Sequence, residues 1–335
     1  MKTFDQNIKE ASEIERLVGG FLEYMQIERG ASPLTVRDYR HYLSRFAAWF
    51  LTVDPSGLVG RINLDNVRRY RVYLGSIGLS GNDPVVRPLK RVTQNYHVIS
   101  LRAFLRWLSK NDYQVLSAEK IELPKAESRS IKFLGLDELT RLLSMPVVSE
   151  PIGLRDKAVM ELLFSTGLRV SELVRLDRSS VDFKAKEFGV IGKGGKARVV
   201  FLSERAAAWV EKYLSVRQDE WDPLFVAARS RKTGLLSQDP TVKHNKRLGE
   251  KMRLSVRSVQ RIVEKYVRKA GLTVKISPHG IRHSFATDLL RAGADIRSVQ
   301  EMLGHKNIST TQIYTHVTNI QLRGIHEKYH GRGRT

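Results

Sequence analysis

Apolar residues recur every three or four positions through much of residues 13–109, the spacing that places side chains on one face of an α-helix. Ser32 and Pro33 open one of these stretches as a helix cap followed by a proline in the first turn. The pattern predicts helices that share one core, over residues 13–29, 33–50, 63–77 and 93–109. Residues 78–88 are rich in Gly, Asn, Asp and Pro and are predicted to form a loop.

A polar and charged segment, residues 116–132, separates this helical part from the rest of the chain and is interrupted by Pro124. Such a composition is typical of a linker. We therefore predict a helical first domain at residues 1–115, a linker at 116–132 and a larger second domain at 133–335. Two domains also fit the length of 335 residues, at roughly 150 residues for each domain.

The second domain begins with two stretches whose apolar residues repeat at a helical period. The pattern then changes to that of β-strands. Gly167 interrupts the second stretch and is predicted to end a helix just before Arg169. The segments EFGVI and KARVVFL are then predicted as strands, and the glycines between them suit a tight hairpin turn. Helical patterns follow around residues 206–214, 255–271 and 277–316. The predicted fold is mainly α with a small antiparallel β-sheet.

The chain is strongly basic: 57 Lys and Arg residues stand against 35 Asp and Glu residues, for a formal net charge of +22 and a pI near 10.2. Such a charge attracts polyanions, because each neutralised phosphate releases condensed counterions. The very basic stretch 228–254 has the composition of a loop, and it either follows a DNA backbone or is a flexible insertion. A soluble basic protein without a polyanionic partner and a protein bound to an anionic membrane surface are the alternatives.

Other features of the sequence exclude whole classes of protein. The absence of cysteine excludes disulfides, thiolate metal sites and cysteine nucleophiles. No apolar run reaches the roughly 18 residues that suggest a membrane span. The N-terminal segment MKTFDQNIKEASEIERL alternates charges and has no apolar signal core. We therefore expect a cytoplasmic protein, associated with the nucleoid.

Residues 277–316 form a helix–turn–helix–turn–helix pattern that carries His279, Arg282, His305 and Tyr314. A Ser-Pro pair just before His279 predicts a helix start, where free backbone N–H groups and the helix dipole favour an anion. Arg282 adds a planar donor fork that suits phosphate oxygens, and a tyrosine hydroxyl can act as a nucleophile. Together these residue types predict a site that breaks a phosphodiester.

Two other kinds of site share parts of these patterns. His279 and His283 lie four residues apart, as in a helical zinc motif, but Arg282 would place a cation beside the metal. The GKGGK turn resembles a P-loop only in part, because Lys193 is followed by Gly and because Glu187 occupies the position of the first glycine. We predict neither a metal site nor a cofactor.

Five short motifs occur in order along the second domain: TGLRVSEL, GKGGKAR, HGIRHSFAT, LGH and IYTH. In this order and spacing they resemble the tyrosine recombinases, the phage-integrase family, over residues 131–325, and the size of the chain is most similar to that of the Xer site-specific recombinases. The first domain resembles the core-binding domain of that family. The resemblance implies that this DNA-binding domain and a catalytic domain form a C-shaped clamp around DNA.

The resemblance assigns the phosphate-binding roles in the predicted site. It implies that Arg169 of TGLR and Arg282 of HGIR hold the nonbridging oxygens of the scissile phosphate, and that His305 of LGH hydrogen-bonds the same phosphate. Glu172 of SEL matches an acidic position that orients Arg169 rather than reacting. The alternative is that Arg169 only caps a helix or pairs with Glu172, and His283 is expected to be structural.

The resemblance also assigns the groups that react. Tyr314 of IYTH is the implied nucleophile, which forms a 3′-phosphotyrosyl link, and Lys193 of the hairpin is the implied general acid that protonates the departing 5′ oxygen. His279 is implied to assist proton transfer near the nucleophile. Tyr329 competes as nucleophile but lies outside the motif, and Lys196 lies close enough that Lys193 could instead be a solvated turn lysine.

The last segment, residues 320–335, carries Leu322, Ile325 and Tyr329 at the spacing of a helical stripe. In Xer-like proteins the last helix packs on a neighbouring protomer, so the resemblance implies a homo-tetramer on paired double-stranded DNA sites that exchanges strands through a Holliday junction. The implied role is chromosome-dimer resolution, for chromosome partition at cell division, with a second recombinase or a DNA translocase as a further partner. The alternatives are an integrase or excisionase of a mobile element, a type IB topoisomerase, and a DNA-binding protein without catalysis.

Overall fold

The computed structural model of the chain describes residues 11–77, 88–123, 133–192, 195–227 and 244–304. The chain divides into two compact units, Met1–Ser128 and Arg129–Thr335. Within these described ranges, no helix is both long enough and apolar enough to cross a membrane.

The first unit is helical and confirms the helices predicted from the apolar periodicity. Ser32 caps the second helix, because its side-chain oxygen accepts a hydrogen bond from the backbone N–H of Thr35 at 3.2 Å, and Pro33 occupies the first turn. The elements are α1 (Glu13–Ile27), α2 (Pro33–Val53), α3 (Leu64–Ser76) and α4 (Arg91–Lys110), with short 3₁₀ turns at Val59–Arg61 and Ala118–Lys120.

The core of the first unit consists of aliphatic and aromatic side chains. Phe46 and Tyr70 meet edge to face, with their ring centroids 4.9 Å apart. The hydroxyl of Tyr70 is hydrogen-bonded to Nδ1 of the buried His97 at 3.0 Å. Burial, and after it the positive charges of Arg45 and His41, lowers the pKa of His97 to about 4. The imidazole of His97 is therefore neutral at pH 7.

The segment predicted as a linker begins on this core. Ala118 and Ile121 are buried among the core residues of the first unit, so the start of the segment 116–132 packs against that unit. Residues 124–132 lie outside the described residues. The interdomain linker stays a prediction.

The second unit combines helices with one small sheet, which confirms the predicted fold class. Helix α6 lies at its centre and is buried on almost every side. The elements are α5 (Leu136–Ser144), α6 (Pro151–Thr166), α7 (Val170–Leu173), a 3₁₀ turn (Arg178–Ser180), β1 (Glu187–Ile191), β2 (Ala197–Phe201), α8 (Glu204–Ser215), α9 (Lys246–Met252), α10 (Val256–Lys269), α11 (Pro278–Arg291) and α12 (Ile296–Leu303).

The two strands form the hairpin that their sequence predicts. They pair antiparallel, from Glu187 opposite Phe201 to Ile191 opposite Ala197. Gly195 has a φ of +77°, a left-handed conformation that glycine adopts without steric cost. Alternate strand residues face the core of the unit, and the buried ones are Phe188, Val190 and Val200.

The prediction of a loop over residues 228–254 is wrong for its last part, because residues 246–252 form α9. The side chain of Asn245 caps this helix by accepting a hydrogen bond from the backbone N–H of Leu248 at 2.9 Å. Met252 is buried, and a Cβ added at Gly249 would lie only 2.6 Å from the side chain of Trp221. Close packing on Trp221 therefore supports a helix in a stretch whose composition is that of a loop.

Candidate active site

A turn between α6 and α7 places the first of the predicted phosphate-binding residues. Gly167 ends α6 with a φ of +58°, as the sequence predicts. A Cβ at this position would lie 2.4 Å from Cδ1 of Phe285 on α11, so glycine is required both by its conformation and by the close approach of the two helices. Arg169 follows as the cap residue of α7.

Arg282 lies within the first turns of α11, which begins with Ser277 as its cap and Pro278 in its first turn. Its side chain is only 2% exposed. Nη1 donates a hydrogen bond to the carbonyl of Gly167 at 2.6 Å, and Nη2 donates to the carbonyl of Leu303 at the end of α12. Arg282 thus joins the turn after α6 to the C-terminal end of α12.

Arg169 lies beside the same helix end and is paired with a carboxylate. Its Nη1 is 2.8 Å from Oε1 of Glu172, and its Nη2 donates to the carbonyl of Gly304 at 3.1 Å. The backbone N–H of Arg169 donates to Oε2 of Glu172 at 2.8 Å, which satisfies a free backbone donor at the start of α7. Glu172 therefore holds both the backbone N–H and the guanidinium of Arg169, a contact that the orienting role and the alternative of a simple pair both predict. The orienting role of Glu172 stays a prediction.

A further arginine reaches this cluster from strand β2. Arg198 binds Glu172 with both ends of its guanidinium, Nη1 to Oε1 at 3.0 Å and Nη2 to Oε2 at 2.8 Å. Its Nε donates to the carbonyl of Met302 at 3.0 Å. Burial alone would raise the pKa of Glu172, but the hydrogen bonds from Arg198 and Arg169 outweigh it and lower that pKa to about 2. Glu172 is thus a carboxylate throughout the physiological pH range.

Three guanidiniums therefore converge on three successive carbonyls at the end of α12. Arg198 binds the carbonyl of residue 302, Arg282 that of residue 303 and Arg169 that of residue 304. The C-terminal end of a helix carries partial negative charge, so this arrangement is electrostatically favourable. Glu172 supplies one negative charge against the three positive ones, which leaves the cluster cationic and suited to an anion.

His279 lies in the first turn of α11, within electrostatic range of the two predicted phosphate-binding arginines. Desolvation, and after it the charges of Arg282 and Arg169, lowers the pKa of His279 below its ordinary value. Its ring stands edge-on to that of His283, with centroids 4.4 Å apart. Among the described residues, no third ligand joins the two histidines to form a group that could hold a metal ion.

Lys193, His305 and Tyr314 lie outside the described residues. The structure does describe the glycines just before two of them. A Cβ added at Gly192 would lie 3.6 Å from Oε1 of Glu172, and Gly304 ends α12 with a φ of +62°. Of the predicted site residues, the described ones, which are Arg169, Glu172, His279 and Arg282, are brought together.

The sequence interpretation missed Arg198. Its side chain holds Glu172 and the end of α12, although its partners lie 26 and 104 residues away along the chain. The available signal was its position in the GKGGKAR motif, whose last residue received no role.

Comparison with known proteins identifies relatives over nearly the whole chain. The sequence profile of the phage integrase family matches residues 132–320, and that of the phage integrase N-terminal SAM-like domain matches residues 18–112. A tyrosine recombinase XerC of Pelotomaculum thermopropionicum is 35% identical over 329 residues, covering 95% of this chain and 98% of the relative. A tyrosine recombinase XerC of Escherichia coli is 32% identical over 320 residues, covering 94% of this chain and 96% of the relative.

Solved structures share the fold. The XerH site-specific recombinase bound to a palindromic difH substrate, in a post-cleavage complex, matches with a TM-score of 0.64 at 21% identity, over 92% of this chain and 84% of that chain. A lambda integrase dimer bound to a COC′ core site matches with a TM-score of 0.61 at 16% identity, over 87% of this chain and 94% of that chain. Since a family profile matches more than half of the chain and the XerC relatives match nearly all of it, the chain belongs to the phage integrase family and is a tyrosine-type site-specific recombinase.

Proposed function

We propose that this recombinase cleaves duplex DNA at a specific site and rejoins it to a new strand, with Tyr314 linked to the 3′ phosphate in between. The observation that carries the proposal is the cluster of Arg169, Arg282 and Glu172 beside His279. Guanidinium forks and a helix N-terminus hold a phosphate and stabilise the charge that builds on it during attack. The net charge of +22 fits a DNA partner.

In the proposed reaction, the hydroxyl oxygen of Tyr314 attacks phosphorus, and the bond between phosphorus and the 5′ oxygen breaks. The phenol, with a pKa of about 10, loses its proton during the attack, and His279 assists that transfer. The lowered pKa of His279 favours the neutral imidazole, which is the form that accepts a proton. Lys193 donates a proton to the departing 5′ oxygen, and His305 hydrogen-bonds the phosphate together with the two arginines.

Rejoining is the reverse of this step on a different strand. A free 5′ hydroxyl attacks the phosphotyrosine, the bond to Tyr314 breaks, and the phenol regains its proton. Each cleavage forms one phosphate ester and breaks one, so strand exchange needs no ATP. Two such exchanges in succession pass through a Holliday junction.

The proposed assembly is a homo-tetramer on paired DNA sites, in which the two domains of each chain clamp a duplex. Residues 320–335 would dock on a neighbouring protomer through the stripe of Leu322, Ile325 and Tyr329. The similarity to proteins named XerC supports chromosome-dimer resolution as the role, with a second recombinase or a DNA translocase as a further partner.

The direct test begins with the genomic sequence that the protein protects from nuclease. On a duplex that carries this sequence and a nick near the cleavage position, we expect the wild-type chain to form a covalent adduct that survives denaturation. Tyr314→Phe is expected to abolish the adduct, and Tyr329→Phe is the matched control that keeps it. An adduct that survives Tyr314→Phe would refute the assignment of the nucleophile. A protected sequence at the ends of a mobile element, rather than near the replication terminus, would contradict the chromosomal role.

The assembly has its own test. Deletion of residues 320–335 is expected to abolish recombination between two sites while single-site cleavage continues. A monomeric nicking and resealing enzyme, such as a type IB topoisomerase, would instead keep both its cleavage and its relaxation of supercoils after the deletion. Equal loss of cleavage and recombination would count against docking on a neighbour.

A further inference from the structure

Glu172 presents an electrostatic problem for the proposed function. A carboxylate that pairs with a single guanidinium largely cancels the positive charge of that guanidinium. The guanidinium of Arg169 lies 2.8 Å from the carboxylate of Glu172. A phosphate would then meet a nearly neutral pair in place of a cation, and it would compete with Glu172 for the same N–H donors. Both side chains of the pair are largely shielded from water, which strengthens their mutual attraction.

Arg198 offers a solution, because it takes both oxygens of the same carboxylate. The side chain of Arg198 is 10% exposed and that of Glu172 is 5% exposed, so the bidentate pair lies largely out of solvent. Bidentate pairing is the strongest geometry that a guanidinium and a carboxylate adopt. With Arg198 in place, the negative charge of Glu172 is shared between two guanidiniums, and Arg169 keeps a larger part of its positive charge than it would in a simple pair.

We infer that Arg198 is a positioning residue, which neutralises Glu172 so that Arg169 is oriented by that carboxylate but keeps its charge for the scissile phosphate. The inference rests on the proposed function and assigns a role within it. Arg198 acts through Glu172 and Arg169.

A second set of contacts shows that Arg198 also fixes the geometry around this pair. Its Nε holds the carbonyl of Met302, and its Cδ lies 3.1 Å from the position that a Cβ would take at Gly304. Its Nη1 lies 3.4 Å from the equivalent position at Gly192, at the end of β1. One side chain thus contacts both the end of α12 and the carboxylate that is paired with Arg169.

Three variants separate the charge of Arg198 from its shape. Arg198→Gln removes the charge, Arg198→Lys keeps the charge but loses the planar fork, and Glu172→Gln combined with Arg198→Gln removes a balanced pair of charges. Arg178→Gln is the matched control, because Arg178 also shares a buried carboxylate, that of Asp219, with a second arginine.

The measurement is the rate of covalent adduct formation by the full chain on the nicked duplex described above. The duplex is prepared with an ordinary scissile phosphate or with a methylphosphonate, which is uncharged at that position. On the phosphate substrate we expect Arg198→Gln to slow adduct formation roughly 10- to 100-fold, as for loss of a charged hydrogen-bonding group, and Arg198→Lys to slow it less. On the methylphosphonate substrate the defect of Arg198→Gln is expected to shrink to within about threefold, because a neutral group no longer depends on the charge of Arg169.

The double variant should react faster than Arg198→Gln alone, since it no longer leaves Glu172 paired with Arg169 only. Arg178→Gln should react at the wild-type rate on both substrates. Equal defects of Arg198→Gln on the two substrates, or a double variant slower than the single one, would overturn the inference and leave a purely structural role. Absence of the adduct with the wild-type chain would overturn the proposed function itself, so the two failures are distinguishable.

Discussion

The two units of the chain bury polar side chains in different ways. In the described part of the first unit, the buried polar side chains are those of Asn66, His97 and Ser100, and none of them carries a charge at pH 7. In the described part of the second unit, charged side chains are buried as well: Arg155, Asp156, Lys157, Glu161, Glu172, Arg217, Asp219 and Arg282. A buried charge is costly unless it is paired. The second unit therefore needs ion pairs and hydrogen bonds inside its core, whereas the first unit, where it is described, buries only neutral polar groups.

Two buried arginines of the second unit each bind a nearby carboxylate and a backbone carbonyl. Arg155 binds both Asp156 and the carbonyl of Val226, and Arg217 binds both Asp219 and the carbonyl of Pro223. The candidate active site repeats this arrangement with Glu172 and the end of α12. The comparison teaches that the proposed phosphate-binding cluster is a variant of the contacts that hold the second unit together, whereas the first unit relies on apolar packing.

The largest expected effect comes from removing a buried arginine of the site. Arg282→Gln is expected to lower the rate of adduct formation on the nicked duplex about 10²- to 10³-fold, as for loss of one donor that stabilises a transition-state charge. Arg291→Gln, in the last turn of the same helix, is the control and should retain the wild-type rate. A loss of less than tenfold for Arg282→Gln would indicate that Arg282 only supports the fold.

The pH dependence of stability should separate the two units. The pKa of His97 is about 6.5 in an unfolded chain and about 4 in the fold, so the native state binds fewer protons between these values. Its contribution, about 3 kcal/mol, is fully present above pH 6.5 and is lost as the pH falls toward 4. The pKa of Glu172 falls from 4.5 to about 2, so its contribution is present above pH 4.5 and is lost as the pH falls toward 2.

Peptide-resolved hydrogen exchange, corrected for the pH dependence of intrinsic exchange rates, measures the stability of each unit separately. We expect the peptides of α2 and α4 to lose protection first as the pH falls from 7 to 4, and those of α7 and β2 to lose it at lower pH. His97→Gln should flatten the first of these profiles and leave the second unchanged. Loss of protection at one common pH in both units would contradict the comparison.

A smaller effect is expected from two glycines with left-handed backbone conformations. Gly167→Ala should lower the free energy of unfolding by about 3 kcal/mol, because the strained φ adds to a clash with Phe285 on α11. Gly30→Ala in the first unit has a similar φ but open space around it, so the expected loss is about 1 kcal/mol. Urea denaturation measures both losses. Equal losses would show that the close packing of α6 on α11 does not matter for stability.

The helices of the first unit could be predicted because their apolar positions repeat at a helical period and their caps are local. Ser32 and Pro33 mark the start of α2 with no information from the rest of the fold. In the second unit, the end of α6 at Gly167 could also be predicted, because a glycine that interrupts an apolar run suits a helix end. These features depend on residues within one or two turns of each other.

The remaining features depend on contacts that no local pattern contains. Helix α9 has few apolar residues and is supported by packing of Gly249 on Trp221. Arg198 follows Lys196 by two positions in the same motif, and no local pattern shows that the side chain of Arg198 reaches distant partners across the fold. Sequence reasoning therefore assigned roles to residues that resemble a family motif, and it assigned none to the arginine whose partners are distant in sequence.

Arg198, Arg282 and Arg169 hold three successive carbonyls at the end of α12, so the length of this helix cannot change without loss of these contacts. Deleting one residue from this helix would rotate its end by about 100° and shift it by about 1.5 Å. No single compensating substitution could then restore all of the contacts, because each carbonyl is held by a side chain from a different element. The outer face of α12 carries the exposed Arg297 and Glu301, whose side chains take no part in these carbonyl contacts. This eight-residue helix should therefore accept substitutions on its outer face but no insertion or deletion.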